Sequence, residues 1–364
     1  MKIALVTIHK ANNYGALLQA YALQEVLKSF GEVDLVDYDN EYLSVTLNPV
    51  RFVWTFHGLL GMGKDLCRLF PRYRLVNKFK KFMSERFAMT ATYKQSELLA
   101  NKLAGYDCYV VGSDQVWNPA CVSLKALLDP VYFLEFAPEG ARKISYASSV
   151  GGYVYSDQEE VEVKKYLNSF SSVSVREKNT QQYLTNLGIK EVEHVLDPTL
   201  LLDIGQWEAL IKKSPSTEPY ILLYSVPKSS LVRPAVDYFS KKLGLKVIAI
   251  DQDLVANAQV DTHLRDAGPE DLLSLFASAA FVVTDSFHGV CFSINFERPF
   301  VSLTPGVHVN RVESLLSLVG LSDQYVRNES EFSNISLNID FTEPRARLKE
   351  AREASLHFLK TAVS

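Results

Sequence analysis

Apolar runs, polar turns and helically spaced leucines alternate along the chain in a regular order. It opens with "KIALVTI", a short apolar run, followed by the polar turn "HKANNYG" and then "ALLQAYALQEVLKSFG", whose leucine and alanine spacing predicts a helix ended by Gly31. "EVDLVDY" follows as a second strand, which makes the opening a β-α-β unit and a parallel sheet the leading expectation. Further strands are predicted at "DCYVVGSD", "KISYASS", "SSVSVRE" and "VEHVLDP", with a helix over residues 177–187. The rhythm breaks at "KKSPSTEP", residues 212–219, where Lys, Pro, Ser and Thr cluster without period. It then restarts with "YILLYSV", "LVRPAVDYFSKKLG", "KVIAI", "PEDLLSLFASA", "FVVTD" and "PFVSL". The pattern predicts an α/β protein of two tandem Rossmann-like domains with a cleft between them. The first spans residues 1–212 and the second 219–340. A last helix within 341–364 is expected to cross back to the first domain.

Composition narrows the class. The chain has 364 residues, 47% hydrophobic and 22% charged, enough for two ordinary globular domains. No apolar run reaches the ~20 residues of a membrane span and the N-terminus does not read as a signal peptide, so a cytoplasmic protein is expected. Cys67, Cys108, Cys121 and Cys291 are scattered without a paired spacing, which predicts neither a disulfide framework nor a zinc site. A formal charge of −4 gives no general attraction to nucleic acid.

The charge is uneven, however. Residues 51–86 carry nine Lys and Arg against Asp65 and Glu85, a local excess of +7. The segment opens with "RFVWTFHGLLGMG", and bulky apolar residues beside cations suit a segment resting on a membrane or a lipid-linked substrate. A helical insertion in the first domain with a solvated basic face is the alternative.

In doubly wound sheets, ligands gather at the carboxyl ends of the strands, so the turns there hold the candidate residues. In the first, Asn13 and Gly15 suit a hydrogen-bonded ligand or simple helix capping. Only one of the glycines of a dinucleotide fingerprint is present, which argues against a redox cofactor. In the second, Ser113 and Asp114 follow Gly112, either as neighbours for sugar hydroxyls or as a capped turn on which Trp117 packs. In the third, Arg176 ends a strand and is placed to offer a guanidinium fork to a carboxylate or phosphate, with a structural salt bridge as the competing role.

The fourth turn, "FVVTDSFHGVCFSINF", places Asp285 or Ser286 at the cap of a helix whose first turn holds His288 and Gly289. Such a terminus binds anions, and a histidine above it is suited to acid–base work. Residues crowded into one turn do not form a hydrolytic triad, and no metal set surrounds them.

The stretches "NNYGALLQAYAL", "YDCYVVGSDQVWN", "KISYASS", "VSVREKN", "VLDPTLLL" and "FVVTDSFHGVCFSINFERPFVSL" occur in an order that resembles the polysaccharide pyruvyl transferase family, over residues 1 to about 320. The resemblance implies a glycosyltransferase-B-like pair of Rossmann domains. It also implies phosphoenolpyruvate as donor substrate with no further cofactor, and a sugar hydroxyl pair of a cell-surface glycan or its lipid-linked precursor as acceptor. By position, Arg176 matches the family arginine that holds the donor, His288 the proposed acid or base, and Asn13 a donor-contacting asparagine. Well-studied members carry arginine two residues before that histidine, where this chain has Ser286; Arg311 is the candidate replacement. The rival readings are a nucleotide-sugar glycosyltransferase and a non-catalytic glycan-binding relative.

Overall fold

The computed structural model describes residues 1–51, 56–101, 103–211, 216, 218–305 and 310–364. The chain divides into two compact units, one of Met1–Leu47, Met83–Leu201 and Glu350–Ser364, the other of Asn48–Phe82 and Leu202–Lys349.

The first unit holds β1 (Lys2–Val6), β2 (Glu32–Tyr38), β3 (Met89–Tyr93), β4 (Cys108–Val111) and β5 (Arg142–Ser145) in the order β3-β2-β1-β4-β5. All four pairings are parallel, as the β-α-β rhythm predicts. Beside them β6 (Val173–Val175) pairs with β7 (Val192–His194), also in parallel. The second unit repeats the plan with β8 (Tyr220–Tyr224), β9 (Lys246–Ile250), β10 (Thr262–Leu264), β11 (Phe281–Thr284), β12 (Phe300–Leu303) and β13 (Tyr325–Val326), ordered β10-β9-β8-β11-β12-β13. Counted within each unit, the first sheet follows the order 3-2-1-4-5 and the second 3-2-1-4-5-6, that of the doubly wound fold, which gives each a switch point at its first strand.

Both sheets are apolar on both faces. Ile3 to Val6, Cys108 to Val111 and Ile221 to Leu223 are buried, because helices cover each side of a parallel sheet. Two edge strands are the exception. β3, "MTATY", is largely exposed and β10, "THL", is exposed or half-buried; neither carries an apolar run, which is why the sequence pattern did not predict them.

The expected domain boundaries shift in two places. Residues 48–82, read from sequence as part of an insertion in the first domain, belong to the second unit. Arg74 and Lys78 there pair with Asp266 and Asp271 at 2.9 and 2.7 Å, and the Arg68 guanidinium donates to the Gln252 carbonyl at 2.8 Å. The first unit ends near Leu201 and regains Glu350–Ser364, the end of a helix running Thr342–Val363. Ser355 Oγ accepts there from the Leu196 amide and Arg352 Nε donates to the Leu200 carbonyl. Residues 212–215 and 217 of the expected junction, and 52–55 of the apolar opening of the basic segment, lie outside the described residues.

Candidate functional site

The turn after β11 is built by close approach. Thr284 Oγ1 donates to the Tyr224 carbonyl at 2.7 Å and accepts from the Ser286 amide at 3.1 Å. This draws the helix Phe287–Asn295 against the end of the strand. A Cβ on Gly289 would stand 2.1 Å from Thr284 Oγ1, so only glycine fits there. Ser286 is the N-cap, in extended conformation, and its side chain makes no capping hydrogen bond. His288 occupies the first turn, 9% exposed, with its ring edge-on to Phe287 at 5.3 Å between centroids. Arg311, on the helix Asn310–Val319, brings its guanidinium to 5.8 Å from the same Phe287 ring. Phe287 is thus a shared wall for an imidazole and a cation, beside a helix end carrying partial positive charge. That combination suits an anion which must also exchange a proton.

Asp285 does different work. Its carboxylate accepts from Ser225 Oγ and from the amides of Val226 and Ser229, each at 2.8 Å. It does not cap the helix as the sequence suggested; it ties down the loop that follows β8.

At the carboxyl ends of the first unit's strands, Arg176 is enclosed. Its guanidinium donates to Asp197 Oδ2 at 2.8 Å, Asp114 Oδ1 at 3.0 Å and Glu177 Oε1 at 3.1 Å, and its side chain is 0% exposed. Burial works against the charge, but the attraction of the three carboxylates outweighs it and holds the guanidinium above its already high range. Ser113 Oγ donates to Asp197 Oδ2 at 3.1 Å, and Ser149 Oγ to Glu177 Oε1 at 2.7 Å. Asp197 also accepts from Thr199, so the "VLDP" stretch serves as the acceptor end of this network. One cation among three carboxylates gives no attraction for a further anion.

The same edge carries a second buried group. His9 Nε2 lies 3.1 Å from Asp37 Oδ1 and Nδ1 lies 3.1 Å from the Thr7 carbonyl, while Lys10 Nζ reaches Asp37 at 2.6 Å. Burial raises the Asp37 carboxyl, yet hydrogen bonds from His9, Lys10 and Thr92 prevail and hold it well below the usual carboxylate range.

With this geometry in place, the comparison with known proteins is decisive at the level of family. Residues 13–306 match the sequence profile described as polysaccharide pyruvyl transferase. The chain belongs to the polysaccharide pyruvyl transferase family. The protein is therefore a polysaccharide-modifying transferase. No curated protein matches the chain. Among solved structures, the UDP-GlcNAc 2-epimerase from Methanocaldococcus jannaschii is similar with a TM-score of 0.50 at 12% identity, over 93% of this chain and 94% of that one. The UDP-N-acetylglucosamine 2-epimerase from Rickettsia bellii gives 0.49 at 12% identity, over 100% and 97% of the two chains. A spinosyn rhamnosyltransferase complexed with thymidine diphosphate gives 0.47 at 12%, over 99% of each chain. Identities this low speak to fold alone, and the fold is the two-unit Rossmann-like arrangement of the glycosyltransferase-B class.

In this pyruvyl transferase family member, the structure gathers His288, Gly289, Ser286 and Arg311 at one helix end of the second unit. Of the first-unit residues named from sequence, Arg176, Ser113 and Asp114 form a buried network, each with partners within the protein. Asn13 is exposed, and its Oδ1 caps the first helix by accepting from the Ala16 amide at 3.2 Å; Gly15 is buried inside that helix. Trp117 packs, stacked on Phe133 with its indole donating to the Tyr132 carbonyl. His9 and Asp37 were missed as a pair, since nothing in "HKANNYG" tells which strand end its histidine will face. No cluster of three or more His, Cys, Asp or Glu suited to a metal occurs among the described residues.

Proposed function

We propose that the protein transfers the pyruvyl group of phosphoenolpyruvate to two hydroxyls of a surface polysaccharide or its lipid-linked precursor, with His288 as the acid–base group and Arg311 as the neighbouring donor-binding cation. The observation that carries this reading is that His288 and Arg311 both lie against the Phe287 ring, at a helix N-terminus, in a chain of this family. Phosphoenolpyruvate brings a carboxylate and a phosphate, which call for a cation and a helix end. Arg311 supplies the charge that the family arginine supplies elsewhere and that Ser286 lacks.

The step balances as follows. The protonated imidazole gives its proton to the methylene carbon, which leaves the adjacent carbon electrophilic. One sugar hydroxyl adds there and the carbon–oxygen bond to phosphate breaks. The second hydroxyl closes the ketal. Of the two hydroxyl protons, one restores the imidazole and the other leaves with phosphate. Positioned acid–base help of this kind is worth ~10²–10⁴ in rate.

The direct test is release of inorganic phosphate from phosphoenolpyruvate with extracted glycolipid as acceptor. Release that is lost in His288→Ala supports the reading; release that persists in the variant removes His288 from the chemistry. Consumption of a nucleotide sugar in place of phosphoenolpyruvate would instead favour glycosyl transfer.

A lipid-linked acceptor draws support from the second unit. Leu66, near the end of the helix Phe56–Cys67, and Phe70 and Tyr73, on the helix that follows, are 55%, 81% and 54% exposed. Exposed Lys80 and Lys81 lie on the same helix, Leu69–Arg86. Arg74 is exposed too, but three other basic residues do not join a solvated basic face. Arg51, Arg68 and Arg72 turn inward on Asp65, which is fully buried, and burial brings Arg72 down to about 10. No helix among the described residues is long and apolar enough to cross a membrane. The stripe predicts sedimentation with anionic vesicles, reversed by high salt and weakened in Phe70→Ser; indifference to that substitution would dismiss the contact.

A further inference from the structure

The proposed reaction needs a second substrate, and a cavity of the first unit has the chemistry for it. The cavity measures about 480 Å3 and lies where β2 and β3 end, its lining running from Tyr38 to Tyr42 and from Lys94 to Ser96. That is the edge at which such sheets hold ligands, and the volume falls in the ~300–1,000 Å3 range of small-molecule sites. A third stretch, from Val122 to Pro130, completes it.

Its polar groups are held in place. Asp129 is 5% exposed and accepts from Tyr38 Oη at 2.7 Å, Gln95 Nε2 at 3.0 Å and Asn40 Nδ2 at 3.3 Å. Asn40 Nδ2 also donates to the Val122 carbonyl at 2.9 Å, which fastens the third stretch to the end of β2. The Asp39 carboxylate and the hydroxyls of Tyr42 and Ser96, which line the same cavity, make no hydrogen bond among the described residues. Leu124 and Leu127 add apolar surface, 79% and 61% exposed.

Charge decides what this lining accepts. It contains the carboxyl groups of Asp39, Glu41 and Asp129 against Lys94, which is already paired with Glu41 at 2.8 Å, so the lining is net negative whether or not Asp129 is ionised. Burial pushes the Asp129 carboxyl up against the hydrogen bonds it accepts, so neutral or ionised it adds no cation. Phosphoenolpyruvate and nucleotide diphosphates are therefore repelled. A sugar ring presents hydroxyls at its edge and C–H groups on its faces, which match carboxylate and hydroxyl partners set beside leucines and a tyrosine.

We propose that this cavity binds the uncharged saccharide of the acceptor, with Asp39 and Tyr42 as hydroxyl partners and Leu124 beneath a ring face. The assignment rests on the transferase reading above, but its test does not. The intact protein, without donor, is screened on a neutral glycan array of hexose and N-acetylhexosamine chains, and the best glycan is titrated by calorimetry into the parent protein and into Asp39→Ala, Tyr42→Ala and Leu124→Ala. All three positions are partly or largely exposed, so folding should be preserved, as circular dichroism would check. The expected result is a neutral glycan bound at least tenfold more weakly by Asp39→Ala and Tyr42→Ala and undisturbed by phosphoenolpyruvate. Failure of every glycan, equal affinity in all variants, or competition by phosphoenolpyruvate overturns the assignment. Phosphoenolpyruvate titrated alone separates the two claims: if it does not bind while the glycan pattern holds, the donor reading falls and the cavity assignment stands.

Discussion

Two strand ends, one in each unit, carry ionisable residues of the kind that marks an active site, and they are opposite in construction. At the end of β6, Arg176 is wholly enclosed and shares its donors among Asp114, Glu177 and Asp197. At the end of β11, His288 and Arg311 lie against one aromatic ring at a helix terminus that no side chain of its own N-cap closes. The first cluster is closed by partners within the protein and holds three loops together; the second sets an imidazole and a guanidinium against one aromatic ring at the positive end of a helix. A cation at a strand's carboxyl end is therefore evidence of a site only once its partners are known.

That contrast is open to attack from either side. The largest effect is expected from Arg176→Ala, which strands three carboxylates in the interior; losing one partner of a buried ion pair costs about 3–5 kcal/mol, so denaturant unfolding should show a protein close to unfolded. Ordinary stability with lost donor binding would return Arg176 to the donor site. His288→Gln should divide the other way, with phosphate release down ~10²–10⁴-fold and a stability loss at the low end of the ~0.5–3 kcal/mol typical of point substitutions. Asp285→Ala frees the amides of Val226 and Ser229 and should cost about 2–3 kcal/mol in thermal or denaturant unfolding; a smaller change would show that the loop after β8 is held by something else. Smallest is Arg311→Ala, predicted to raise the KM for phosphoenolpyruvate about tenfold, near 1.4 kcal/mol, while leaving the unfolding midpoint in place.

Much of the fold could be read from the chain because buried parallel strands announce themselves as apolar runs, "KIALV", "CYVV", "YILLY" and "FVVT" among them. β3 and β10 escaped because an edge strand with no fully buried residue leaves no apolar run in the sequence. The turn at His288 was legible for a similar reason: strand, polar cap, glycine and apolar helix lie next to each other along the chain. Arg176 could not be resolved that way. Its partners Asp114 and Asp197 are 62 and 21 residues distant, and only the folded chain shows that they meet. The basic segment was only partly legible for the same reason, since a count of charges does not show that Arg51, Arg68 and Arg72 converge on the buried Asp65.

The most direct test of the central claim is a calorimetric titration of the intact protein with phosphoenolpyruvate, repeated on Arg311→Ala and run beside a nucleotide sugar. Saturable binding of phosphoenolpyruvate, weakened about tenfold in the variant, is the predicted result. Binding that ignores Arg311, or binding of the nucleotide sugar alone, would contradict it.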